Sequence, residues 1–261
     1  MEFRWVTIFL DFPGDAFEAG TAFWREVTGC GVSSSRGAAG EFATLLPPGG
    51  DAYLRVQRVF EGGGGCHLDL HIDLASWSLE EAAAGAVALG ARMHDREDDE
   101  VIILDSPGGF TFCVVPWNGE TAVPDPFTPF AAGGAGGADA SRVAQLTLDV
   151  PPAGYEREIS FWAALTGWDP RPSPDPHYTF LACPTGLPAG LLFQRRETAA
   201  PGDRVHGHVD LECADMRRTA DWHAGLGARV TRAYPWGIVL ADPVGRPYCC
   251  LAARTESPSI S

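Results

Sequence analysis

Apolar and polar positions change their period in a set order along this chain, and the order occurs twice. Residues 5–10, Trp5-Val6-Thr7-Ile8-Phe9-Leu10, read as a strand. Phe17, Gly20, Trp24 and Val27 then fall on one face of a helix that Gly29 closes. Strand-like runs at about 41–46 and 52–60 precede a strand over 67–74, a helix around 78–89 that ends at Gly90, and strands near 101–104 and 110–115. In the second half Tyr155, Ile159, Trp162 and Leu165 repeat the helical stripe. Both stripes read as core packing rather than cofactor contacts, since an apolar face at helical spacing is a buried face.

The letters repeat with the pattern. Phe23-Trp24-Arg25-Glu26-Val27-Thr28-Gly29 returns as Phe161-Trp162-Ala163-Ala164-Leu165-Thr166-Gly167. Val6-Thr7-Ile8-Phe9-Leu10-Asp11 is answered by Ala144-Gln145-Leu146-Thr147-Leu148-Asp149, and Gly90-Ala91-Arg92 by Gly227-Ala228-Arg229. His71-Ile72-Asp73-Leu74 aligns with His208-Val209-Asp210-Leu211. Ser106-Pro107-Gly108-Gly109 with Phe112-Cys113 aligns with Asp242-Pro243-Val244-Gly245 with Tyr248-Cys249. This order predicts a first domain over 1–117, a Pro/Gly-rich mobile linker over 118–141, a second domain over 142–254 and a disordered tail over 255–261.

Composition narrows the partners. The 261 residues are 45% hydrophobic, yet no apolar run approaches the ~20 residues a membrane span needs, so no membrane partner is expected. A formal charge of -15 repels a phosphate backbone, which argues against nucleic acid. The opening Met1-Glu2-Phe3-Arg4-Trp5 lacks the pattern of a secretion signal, and seven cysteines without a C-x-x-C pair read as reduced thiols; both predict a cytoplasmic protein. The run Gly62-Gly63-Gly64-Gly65 leads into a strand and lacks a following Lys-Ser/Thr, so it reads as a flexible connection rather than a phosphate loop.

The repeated aromatic pair in a Gly-closed helix, the H-x-D-L strand, the Gly-Ala-Arg after the second helix and the P-x-G turn before an F/Y-C strand resemble the glyoxalase-like branch of the vicinal oxygen chelate superfamily. That superfamily includes glyoxalases, extradiol dioxygenases, epimerases, and fosfomycin- and bleomycin-resistance proteins. The resemblance implies an α+β fold of tandem glyoxalase-like domains. Each would hold two βαβββ modules forming a curved mixed sheet, a cup with helices outside and the ligand on its concave face.

Alternation assigns residues to that face. In 67–74, Leu68, Leu70, Ile72 and Leu74 oppose His67, Asp69, His71 and Asp73; in the second half His206, His208 and Asp210 oppose Val209 and Leu211. The same rule gives Trp5, Thr7, Phe9, Tyr53, Arg55, Gln57, Thr111 and Cys113 to the first cup, expected to be the principal pocket. It gives Val143, Gln145, Thr147, Leu192, Gln194, His208 and Cys249 to the second. His71 with Asp73, and His208 with Asp210, are the catalytic candidates, because a carboxylate beside a histidine orients a general base. His177 and His223 have no counterparts and are expected on the surface or in loops.

The resemblance implies, for metal-dependent members, a His or Gln on the first strand, a Glu before the midpoint, a His on the fifth strand and a Glu on the last. Here Trp5 and Val143 take the first place, His71 and His208 the third, and Cys113 and Cys249 replace the last carboxylate. The expectation is therefore no cofactor, with His208, Cys249, Gln194 and Gln145 as the remaining route to a divalent metal. Three functions stay open. The first is metal-independent sequestration of a small molecule, of the bleomycin-resistance type, with Trp5, Phe9 and Tyr53 stacking on the ligand. The alternative is a lyase, isomerase or dioxygenase using a divalent metal or a His/Asp pair. The third is a scaffold with vestigial pockets. A monomer of fused domains and a homodimer are equally consistent with the repeat.

Overall fold

Each half of the chain lays down two β-α-β-β-β modules. In a computed structural model, which describes residues 2–97, 100–129 and 140–253, the first half begins with β1 (Trp5–Pro13), α1 (Phe17–Thr28), β2 (Gly31–Val32), β3 (Phe42–Leu46) and β4 (Leu54–Val59). Its second module is β5 (Gly65–Ile72), α2 (Leu79–Ala88), β6 (Arg92–Glu97), β7 (Val101–Asp105) and β8 (Thr111–Pro116). The second half repeats this as β9 (Ser141–Val150), α3 (Tyr155–Thr166), β10 (Pro170–Pro172), β11 (Tyr178–Leu181) and β12 (Gly190–Arg195). It ends with β13 (His206–Cys213), α4 (Met216–Gly225), β14 (Arg229–Ala233), β15 (Gly237–Ala241) and β16 (Pro247–Ala252).

The two modules of a half share one eight-stranded sheet, ordered β2-β3-β4-β1-β5-β8-β7-β6 in the first half and β10-β11-β12-β9-β13-β16-β15-β14 in the second. β1 runs parallel to β4 and antiparallel to β5, and β5 runs parallel to β8. Pairing within each half, which the sequence left open, is thus settled. The edge strands β6 and β14 escaped the sequence pattern because Arg92-Met93-His94-Asp95-Arg96 and Arg229-Val230-Thr231-Arg232-Ala233 are exposed and mostly polar, without a sustained apolar alternation. Strand 67–74 is also shorter than its pattern: it ends at Ile72, and the Asp73 carbonyl turns the chain by accepting from Ser76 and Trp77 N–H. Leu74, expected to face the helices, is exposed.

Local chemistry places the helices. Gly20 sits where α1 crosses β1: a Cβ there would lie 2.4 Å from the Phe12 ring, so only glycine permits this approach. Ser78 caps α2 in a reciprocal box with Glu81, satisfying the first free N–H groups.

The aromatic pairs of α1 and α3 do more than pack on their own sheets. Trp24 meets Tyr248 of the second half at 5.3 Å, and Trp162 meets Phe112 of the first at 5.1 Å. Each indole N–H finds a buried carboxylate, Trp24 Nε1 donating to Asp242 (3.1 Å) and Trp162 Nε1 to Glu158 (2.9 Å). Glu158 also accepts from Gly108 N–H of the first half at 2.7 Å. One continuous apolar core therefore runs through both halves. Part of the expected linker is fastened as well, since Asp51 accepts from Thr121 and Ala122 N–H, and Phe127 packs against Trp222. The Gly133–Gly137 run and the 255–261 tail lie outside the described residues. Among the described residues no helix is long and apolar enough to cross a membrane.

Candidate functional site

The centre of the first cup is built by three neighbouring strands. β1 supplies Asp11, β5 supplies His67 and Asp69, and β8 supplies Cys113, the register partner of Asp69. His67 Nδ1 lies 2.9 Å from Asp11 Oδ2, which turns Nε2 toward Asp69 Oδ1 at 4.0 Å. Phe9 stacks on the imidazole at 4.2 Å, and Arg55 reaches within 3.8 Å of Asp69 Oδ2. Burial lifts the Asp69 carboxyl above the usual carboxylate range, against the pull of His67 and Arg55. A cavity of about 720 Å³ opens onto this group, walled by Phe9, Phe42, Gln57, His67, Asp69 and Cys113. The second half completes the wall with Arg204, Val205, His206 and Gly207.

Two guanidiniums from the second half brace this cup. Arg246 donates to the carbonyls of Asp11 and Gly65 and lies over the Phe12 ring at 4.7 Å. Arg204 holds the Gly109 carbonyl (2.9 Å) and Asp105 (3.0 Å) in the turn before β8.

The second cup carries the same constellation on β9, β13 and β16. His208 Nδ1 lies 2.8 Å from Asp149 Oδ2, and its Nε2 lies 3.4 Å from Asp210 Oδ1 and 3.8 Å from Cys249 Sγ. Asp210 Oδ2 accepts from Thr147 Oγ1 (2.6 Å) and Gln145 Nε2 (2.9 Å). Burial alone would disfavour a charged His208, but Asp149, Cys249 and Asp210 together hold its pKa well above the ordinary imidazole value. Burial, then Asp210, pushes the Cys249 thiol up to about 11, so it is a thiol at neutral pH. The mouth is clasped. Tyr178 of β11 meets Trp236, between β14 and β15, at 5.8 Å, although those strands stand on opposite flanks of the sheet. Trp236 in turn stacks on Tyr234 at 4.9 Å. A smaller cavity of about 250 Å³ reaches Gln145 and Asp210 from the other end.

This geometry corrects the alignment of the repeat. His208 pairs with Thr147, and Phe9, the counterpart of Thr147, pairs with His67. The equivalent of His208-Val209-Asp210-Leu211 is therefore His67-Leu68-Asp69-Leu70, the tetrad immediately before the one the sequence suggested. His71 is fully buried at the base of the cup, its Nε2 2.9 Å from Thr7 Oγ1, and burial with the Arg55 charge drives its pKa down to about 3. Trp5 is equally buried, its indole N–H donating to the Ala52 carbonyl, so Trp5, Thr7 and His71 plug the closed end. Asp73 lies outside the strand and caps Ala75 N–H.

Phe9, Gln57 and Cys113 line the first cavity, and Arg55 lies beside Asp69. Tyr53 does not join them: its hydroxyl donates to the Val143 carbonyl at 2.8 Å, and both residues line a separate cleft of about 410 Å³ between the halves. Val143 left the second cup because β13 pairing shifts register between Asp210 and Leu211, a bulge that reverses facing beyond Gln145. Gln145, His208 and Cys249 come together, and Gln194 stands in the register of Gln57, partnering Asp149. His177 is exposed, whereas His223 is fully buried in α4, 3.0 Å from the Tyr248 hydroxyl. Asp11 and Asp149 were missed as site residues, although each closes the repeated block Val6–Asp11 and Ala144–Asp149; that recurrence was the available signal.

The residues suit a divalent ion better than the sequence suggested. In both cups a carboxylate holds histidine Nδ1 and leaves Nε2 facing inward, the outer-shell arrangement that orients a metal-binding imidazole. His67, Asp69 and Cys113 converge, as do His208, Asp210 and Cys249, with ligand atoms within 4.8 Å of one another. Asp69 Oδ1 and Asp210 Oδ1 are buried and make no hydrogen bond. Two donors at 2.0–2.1 Å from one tetrahedral ion sit roughly 3.3–3.4 Å apart. The second cup matches that spacing and the first is wider. An imidazole, carboxylate and thiolate set suits a borderline ion such as zinc or iron(II).

No curated protein matches the chain in sequence. Solved structures match its fold across nearly its whole length. The 2,2',3-trihydroxybiphenyl 1,2-dioxygenase of Sphingomonas wittichii strain RW1 is 14% identical with a TM-score of 0.61, over 97% of this chain and 90% of that one. The Mn(II)-bound glyoxalase of Novosphingobium aromaticivorans is 17% identical with a TM-score of 0.63, over 96% and 81%. A 2,3-dioxygenase from Pseudomonas sp. KL28 is 15% identical with a TM-score of 0.60, over 100% and 95%. At these identities the likeness concerns the fold. The sequence profile of the glyoxalase-like domain matches residues 7–115 and again 145–251, and the chain belongs to that family as a tandem of two such domains.

Proposed function

We propose that the first cup is the active site of a small-molecule enzyme of the glyoxalase and dioxygenase type, working with a divalent ion held by His67, Asp69 and Cys113. The observation that carries this reading is the convergence of those three donors on a cavity of about 720 Å³. The fold's likeness to dioxygenases and a manganese glyoxalase supports catalysis over the ligand sequestration expected from sequence. Bound there, the ion would polarise an oxygen of the ligand. The chain's own residues do the rest. Asp11 keeps the His67 ring oriented, and Phe9 and Phe42 give the ligand an apolar wall. Gln57 offers an amide at the rim of that wall.

The test is the metal content of the protein after chelation and reloading with zinc, nickel, iron(II) or manganese separately, followed by oxygen uptake and ultraviolet change with a catechol and a trihydroxybiphenyl. Retention of one of these ions, lost in His67→Ala, together with turnover supports the reading. An unretained ion with tight binding of an aromatic ligand and no product would return the protein to sequestration.

A further inference from the structure

A further cavity lies at the plugged end of the first cup. It measures about 670 Å³ and is walled by three indoles, Trp77 and Trp117 from the first half and Trp168 from the second. Backbone pairing places the first two. Arg4 N–H and Trp117 N–H donate to the adjacent carbonyls of His71 and Ile72 at the end of β5, and Trp77 N–H donates to Asp73 in the turn that follows. Trp168 follows the left-handed Gly167 that ends α3, its N–H bonded to Thr166. Among the described residues of the lining, Glu2 and Glu120 bring the only charged groups besides Arg4.

One feature points to a ligand class. The Arg4 guanidinium lies over the Trp117 ring at 4.7 Å, within the distance at which an indole face attracts a cation. Its one carboxylate contact, Glu2, is long at 3.5 Å and exposed. The Trp117 indole N–H donates to the Glu120 carbonyl at 2.9 Å, which fixes the ring with one face toward the Arg4 guanidinium. Trp77, which also lines this cavity, is 39% exposed. The formal charge of -15 enriches cations around the whole molecule.

We infer that this cleft is a binding site for a small organic cation, an alkylammonium or guanidinium, received by Trp77, Trp117 and Trp168, with Arg4 as the resident competitor. A sugar or a neutral aromatic would use the indoles but not the carboxylates. The inference does not depend on the chemistry of the first cup, whose cavity shares no lining residue with this one.

The experiment titrates the full chain with tetramethylammonium chloride, with tert-butanol as the neutral match in shape and sodium chloride as the ionic control. Tryptophan fluorescence and the indole N–H resonances report binding. A saturable response to tetramethylammonium alone is expected. It should weaken roughly tenfold in Trp117→Leu and less in the exposed Trp77→Leu. Arg4→Ala should strengthen it several-fold, roughly the worth of one displaced cation–π contact. Equal responses to tert-butanol, a response without saturation, or weaker binding in Arg4→Ala would each overturn the inference. Thermal midpoints of the variants separate lost binding from lost fold.

Discussion

The two cups keep the same four side chains at their centres, and a glutamine beside them in the same register, but differ in the residues that set access and charge. Where the first has Arg55 facing Phe9, the second has Leu192 facing Thr147. Asp69 therefore looks toward a guanidinium, while Asp210 is tied down by Thr147 and Gln145. Phe42 of the first cup occupies the register of Tyr178 and lines an open cavity, whereas Tyr178 joins Trp236 to close the second. Duplication has preserved the donor set and varied access to it. A closed site with tightly spaced donors suits a structural ion, and an open one with room beside the donors suits a reaction.

The largest effect should come from cutting the support shared by both cups. Trp162 is fully buried and packs on Phe110 and Phe112, which lead into and lie on the strand of Cys113. Trp162→Ala should cost about 3–5 kcal/mol. Because the core is continuous, urea unfolding should remain a single transition shifted to lower concentration. Two separated transitions would show that the halves stand alone and that the comparison is between independent domains.

Next in size is the metal itself. His67→Ala should weaken ion binding in the first cup by more than about a hundredfold, since it removes one of three protein ligands, a larger loss than removing an outer-shell partner. The companion His208→Ala should leave that binding unchanged. Isothermal titration with zinc after chelation reads both, and equal losses in the two variants would erase the distinction between the cups. Below these come the orienting carboxylates. Asp11→Asn keeps the shape of the site but weakens the hold on Nδ1, and should lower affinity by about tenfold to a hundredfold. An unchanged affinity would mean that Arg246 and Phe9 already hold the ring without it.

How much of this was readable from sequence depended on whether a feature was local. The helical stripes and the alternation of β5 were visible because each rests on a short-range period. The site failed at one point for a clear reason. Residues 67–74 read His-Leu-Asp-Leu-His-Ile-Asp-Leu, two tetrads that fit His208–Leu211 equally well, and only cross-strand register distinguishes them. Val143 was misplaced by a single bulge, which no alternation rule can foresee. Tyr53 was assigned to the first cup, whereas its hydroxyl bonds to a carbonyl of the other half; the aromatics of α1 and α3 are core, as their spacing indicated, with partners that spacing does not name.

The smallest predicted effects are the most diagnostic, because the buried histidines of the two cups, His71 and His208, should respond to pH with opposite sign. His208 has its folded pKa raised above the unfolded value near 6.5, so its contribution to stability is full below about pH 6.5 and is lost as pH rises through the folded pKa. His71 has its folded pKa lowered to about 3, so the folded state binds fewer protons than the unfolded chain, and stability is lost as pH falls from about 6.5 toward 3. In chelator, His208→Gln should narrow its gap to the parent as pH rises above 6.5. His71→Gln should narrow its gap as pH falls below 6.5. Each shift in midpoint should be on the order of a few degrees. Thermal melts at half-unit steps from pH 5 to 9 measure both slopes. Parallel slopes would mean that the charged imidazole of the second cup and the neutral one beneath the first are not the two distinct states that separate these cups.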